Sequence, residues 1–114
     1  MPDLVDLVQV AALDRKAEDL TVLDLRGRTI LADAFVIATG RSTVHTRSIS
    51  DGIVDAARSS GVEKVRTEGY ADGNWILIDL NTIVVHVFTP DLRDFYNLER
   101  LWGAVESARR SNLA

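Results

Sequence analysis

A chain of 114 residues has the length of one domain and leaves no room for a second independent core. Its hydrophobic fraction of 46% and charged fraction of 26% are those of a folded globular protein, and its longest apolar runs fall far short of the ~20 residues a membrane span needs. The 13 Lys and Arg against 17 Asp and Glu give a net charge of −4, which disfavours a sequence-independent grip on phosphate backbones and suits a basic protein partner.

Without cysteine there is no disulfide, no thiolate zinc site and no thiol nucleophile. The Met-Pro-Asp start carries neither a basic n-region nor an apolar h-region, so a cytoplasmic address is expected.

In chain order, Leu4, Leu7, Val8 and Ala11 recur at helical spacing, with Asp6 in the first turn and Arg15 and Lys16 near the end, which suits the helix dipole. Leu20 to Leu25 reads as a strand stopped by Arg26-Gly27-Arg28-Thr29. Ala34 to Thr39 is the next strand. Its centre, Phe35-Val36-Ile37-Ala38, is continuously apolar, as in a central strand covered on both faces.

Gly40 ends that strand, Ser42 or Thr43 can cap a long helix, and Gly61 supplies its C-terminal cap. Ile49, Ile53, Ala56 and Ala57 form the buried stripe of this helix. Its Arg41, Arg47, Arg58, Asp51 and Asp55 read as a solvated face. Val65 to Glu68 is a short strand at or near a sheet edge, where charges discourage unwanted pairing. After a turn-rich loop from Gly69 to Asn74, Trp75 to Leu80 and Ile83 to Phe88 form a hairpin about Asn81-Thr82. Thr89 caps a last helix with Pro90 at its first position. That helix carries Leu92, Phe95 and Tyr96, then Leu98, Leu101 and Trp102, with Asn97 and Gly103 as points of interruption. The order implies an α/β (α+β) domain: a single mixed sheet of about five strands packed with helices, spanning residues 1–102. Residues 103–114 form a tail, a frayed helix or disordered.

Enzyme motifs are sparse. No two glycines are spaced for a G-x-G-x-x-G turn, no G-K-[ST] loop exists, and His45 and His86 are not a helical metal pair, so no cofactor and no metal is expected. Gly40-Arg41-Ser42 followed by Asp51 resembles the strand, turn and helix of nucleotidyltransferases. That chemistry needs two carboxylates on a strand to hold Mg²⁺, and here Asp51 has no second acid beside it and falls in a helix. A nucleotide-binding or nucleotidyltransferase-like enzyme using Gly40 to Asp51 is the alternative to a binding module.

The hairpin carries the stronger signal. With Leu80 opposite Ile83, Asp79 pairs with Val84, Leu77 with His86 and Trp75 with Phe88. One face is then wholly aliphatic: Ile76, Ile78, Leu80, Ile83, Val85 and Val87. The other carries Trp75, Leu77, Asp79, Val84, His86 and Phe88, a poor core but a plausible interface, since Trp is enriched at binding hot spots and short polar handles fix orientation. As an ordinary sheet histidine, His86 would be hydrogen-bonded, with Asp79 the nearest candidate partner.

Four segments in order carry a family resemblance: Ala32 to Gly40, Trp75 to Leu80, Val84 to Phe88 and Tyr96 to Trp102. Together they resemble the ribosomal silencing factor family, also called RsfS or Iojap, over about residues 4–102. The resemblance implies a nucleotidyltransferase-like fold without enzymatic activity. It implies a translation repressor that binds the large ribosomal subunit through ribosomal protein fourteen and blocks joining of the small subunit during starvation or stationary phase, with a homodimer possible. It makes Trp75 the partner-binding tryptophan. On this reading Trp75, Leu77 and Phe88 supply buried area, Asp79 and His86 orientation, and Arg93 and Tyr96 a rim on the last helix. No membrane and no direct sequence-specific nucleic acid is implied.

Overall fold

The computed structural model describes residues 3–27 and 32–96. Helix α1 (Leu4–Asp14) leads into β1 (Glu18–Asp24) and β2 (Ala34–Thr39), followed by α2 (Thr43–Ser59) and β3 (Arg66–Glu68). The hairpin strands β4 (Trp75–Asp79) and β5 (Ile83–Phe88) precede α3 (Pro90–Tyr96). The expected tail, and the stretch from Leu98 to Trp102, lie outside the described residues.

The strands form one five-stranded sheet in the order β1-β2-β5-β4-β3. Only β2 and β5 run parallel; the other neighbours are antiparallel, so the sheet is mixed and the fold is α+β. The parallel pair sits at the centre because α2 carries the chain away from β2 and over one face, as a crossover between parallel strands must. The expected edge position of the short third strand is borne out, with all of Arg66, Thr67 and Glu68 exposed. β1 starts two residues earlier than Leu20 because a bulge between Glu18 and Thr21, with Asp19 at φ 48°, lets the strand continue.

The core lies between the sheet and the first two helices. Val8, Ala11 and Ala12 from α1, and Ile49, Ile53 and Ala57 from α2, close over Val36, Ile76, Ile78, Leu80, Ile83, Val85 and Val87. The six aliphatic hairpin positions therefore form the floor that their alternation implied. Small residues let the helices approach closely: a Cβ on Gly52 would meet the Arg15 side chain. The expected caps also form. The Ser42 hydroxyl accepts the backbone N–H of His45, and Gly61, at φ +100°, closes α2 while Val62 N–H returns to the Ala57 carbonyl.

Gly69 begins the loop into β4 at φ +80°, and a Cβ there would run into the Trp75 carbonyl oxygen. Gly69→Ala should therefore destabilise the domain by at least about 1–2 kcal/mol from the left-handed backbone alone. Thermal denaturation should show a midpoint lowered by roughly 5 °C or more. A midpoint equal to the parent's would mean that the loop relaxes freely.

Candidate functional site

Cross-strand register places the hairpin's second face in rows that run across the sheet. Thr39, Phe88 and Trp75 make one row; Thr21, Ile37, His86, Leu77 and Glu68 the next; Leu23, Phe35, Val84, Asp79 and Arg66 the third. The pairings of Trp75 with Phe88, Leu77 with His86 and Asp79 with Val84 are those expected from a two-residue turn. Leu80 N–H bonds the Ile83 carbonyl, and Asn81 takes the positive φ of 77° that the turn requires. Asp79 accepts the backbone N–H of Asn81 at 2.8 Å and so braces that turn.

Trp75, Leu77, Asp79 and Val84 are half-buried. His86 and Phe88 are not at the surface: they are 5% and 1% exposed. The premise that this face makes a poor core is thus corrected at those two positions, while the burial of Ile37 beside them agrees with a central strand covered on both faces. The reason is aromatic packing. The His86 ring lies parallel to Phe88 at 6.0 Å, Phe35 meets it edge-on at 4.8 Å, and Trp75 leans on Phe88 at 5.1 Å. Sequence reading missed Phe35 and Ile37 as members of this layer. Their alternation along β2 was visible, but the parallel pairing with β5 that sets them beside Val84 and His86 was not.

His86 takes its hydrogen bond from the Trp75 indole, Nε1 to Nδ1 at 3.1 Å, and not from Asp79. Accepting at Nδ1 puts the ring proton on Nε2, which is buried and has no hydrogen-bond partner among the described residues. Burial holds the imidazole in its neutral form and lowers its pKa to about 4.

Arg93, on the first turn of α3, reaches back over β2 and β1. Its guanidinium donates to Thr39 Oγ1 at 2.7 Å and Thr21 Oγ1 at 3.1 Å. It thereby fixes α3 to the sheet at the end of the row that carries Trp75. Tyr96 ends α3, and its side chain lies outside the described residues.

The Gly40 to Asp51 segment is occupied with local structure. Arg41 N–H donates to His45 Nδ1 and the His45 Nε2–H is left to donate to the Arg15 carbonyl, which ties the α2 start to the α1 end. A Cβ on Gly40 would strike Thr46, whose hydroxyl bonds the carbonyls of Thr43 and Gly73. Asp51 accepts from the Tyr70 hydroxyl at 3.2 Å. Arg47 departs from the solvated face expected of it: it donates to the Tyr70 carbonyl at 3.0 Å and the Ala71 carbonyl at 2.6 Å. The loop before Trp75 folds back on α2, and the long Arg47 side chain reaches two of its turn carbonyls. Among the described residues no three His, Cys, Asp or Glu side chains gather as a metal site, and no helix is long and apolar enough to cross a membrane.

A mixed sheet with α1 and α2 on one face and a layer of Phe35, Trp75, His86 and Phe88 on the other defines a small α+β domain. The sequence profile described as "Ribosomal silencing factor during starvation" matches residues 1–114. The chain is 42% identical over 101 residues to ribosomal silencing factor RsfS of Halalkalibacterium halodurans, covering 89% of this chain and 86% of that one. It is 39% identical over 100 residues to RsfS of Bacillus subtilis, covering 88% and 85%. A crystal structure of a Chromobacterium violaceum protein superposes with a TM-score of 0.85 at 34% identity, covering 88% of this chain and 83% of that one. The chain belongs to the ribosomal silencing factor (RsfS) family.

Proposed function

We propose that this chain silences ribosomes by occupying the large subunit, through ribosomal protein fourteen, where the small subunit would join. It acts in the cytoplasm during starvation or stationary phase, as a steric block and not as an enzyme, and it can pair with itself when free. The observation that carries the reading is the half-buried Trp75 at the end of a braced aromatic layer, beside half-buried Leu77 and Asp79, in a member of a family of ribosomal silencing factors. Half-exposed aromatic and aliphatic side chains on a rigid sheet supply buried area at little entropic cost, which is the make-up of a binding hot spot. The net charge of −4 suits a basic ribosomal protein. Trp75, Leu77 and Asp79 make the contact, His86 and Phe88 brace them from the neighbouring strand β5, and Arg93 and Tyr96 bring α3 to the rim.

Purified large and small subunits mixed with a saturating excess of the protein should stay apart in a sucrose gradient, with the protein in the large-subunit peak. Unchanged formation of joined ribosomes under those conditions would rule out occlusion.

A further inference from the structure

We propose that His86 is the positioning residue of the Trp75 side chain: its Nδ1 lone pair, held still by the rings around it, sets the direction of the indole and so the shape of the surface presented to a partner. Two neighbours of Trp75 act on its ring in different ways. Phe88, its cross-strand partner, offers a flat ring at 5.1 Å with an interplanar angle of 30°, a contact that resists tilting but has no preferred direction within the plane. The Nε1–H to Nδ1 bond, 3.1 Å long, is directional and adds a preferred orientation within that plane.

An acceptor can orient its donor only if it is itself immobile. Here Phe35 abuts the imidazole edge-on, Phe88 lies parallel to it with an interplanar angle of 8°, and the ring sits on the central parallel strand beside Ile37. The second observation is the other ring nitrogen. Nε2 is buried with no hydrogen-bond partner among the described residues, so the imidazole is held at a loss of stability that an apolar ring of similar size would not incur. What histidine supplies at this position that leucine or phenylalanine would not is the acceptor at Nδ1. The statement about the indole stands on the geometry alone; its consequence for affinity rests on the occlusion reading above.

The test reads the two rings directly, on the full-length chain labelled with ¹⁵N, with Trp75 assigned by comparison with Trp102→Phe. In the parent, His86 should show a single Nε2–H tautomer, and the Trp75 indole N–H should be displaced downfield and slow to exchange. His86→Leu should return that resonance to the range of a free indole and speed its exchange tenfold or more. His86→Asn, whose side-chain oxygen falls near the place of Nδ1, should restore most of the protection. Large-subunit affinity should follow the same order, with leucine weakened several-fold and asparagine close to the parent. A parent His86 found as the Nδ1–H tautomer overturns the proposal without any variant, as does a folded His86→Leu whose indole signal is unchanged. An indole freed by leucine with affinity untouched overturns the link to the partner surface. A parent that holds the indole as described yet does not bind large subunits confirms the positioning and sinks the occlusion reading instead.

Discussion

Trp75→Ala is expected to weaken binding to isolated large ribosomal subunits by roughly thirtyfold or more, which corresponds to about 2 kcal/mol. The size of the effect follows from what the truncation removes. The indole is the largest side chain on its row of the sheet, it is only half-buried in the free protein, and it leans on Phe88 while bonding His86. In the proposed complex, burying its remaining apolar area against the partner would supply affinity, and the bracing would leave little rotamer freedom to lose on docking. The loss should appear mainly as faster dissociation, since the net charge that steers encounter is unchanged. Titration of labelled protein against large subunits, with circular dichroism to show that the variant is folded, measures it. A folded variant that binds as tightly as the parent would take Trp75 out of the interface.

The second large effect concerns acid. His86 has its pKa lowered by burial to about 4, against 6.5 for the unfolded chain. Between those values the unfolded state binds a proton that the folded state refuses, so stability falls as pH falls through this window. Above pH 6.5 both states are neutral and the contribution is constant; below about 4 both are charged and no further loss comes from this group. The full excursion is about 3 kcal/mol, a large share of the stability of a domain of this size. Carboxylates titrate over the lower part of the same range, so the quantity to read is a difference. Urea unfolding of the parent and of His86→Leu at pH 7.5, 6, 5 and 4 should show the gap between them moving in the variant's favour as acid is added. A gap that stays constant across the series would mean that the folded protein protonates this ring as easily as the unfolded chain does.

Where local chemistry decided the outcome, sequence reading succeeded. The strand Ala34 to Thr39 and the hairpin register rest on alternation and on a two-residue turn, and both are found as expected. The caps Ser42 and Gly61 act through groups within a few residues of themselves. What remained hidden depended on distant partners. His86 was placed on the correct face, but its partner is Trp75, diagonal across the hairpin, because the indole N–H reaches where the short Asp79 side chain, engaged with Asn81, does not. Arg47 looked like one more solvated charge until the loop after Gly69 came back over α2 and offered it two carbonyls. Phe35 and Ile37 could join the aromatic layer only once β2 was known to lie beside β5. Arg93 is held by hydroxyls from two strands, 54 and 72 residues before it in the chain.

That neighbourhood of β2 and β5 governs how the molecule comes into being. The pairing joins Ala34 to Ile83 and Thr39 to Phe88, so the middle of the sheet cannot close until almost the whole described chain is available. A nascent polypeptide that has emerged only as far as α2 carries a strand with one flank open and an aliphatic stripe with nothing beneath it. Unfolding should therefore be all-or-none, with circular dichroism and tryptophan fluorescence tracing the same curve. On the proposed function, the partner surface is assembled only after β5 has been made and paired with β2.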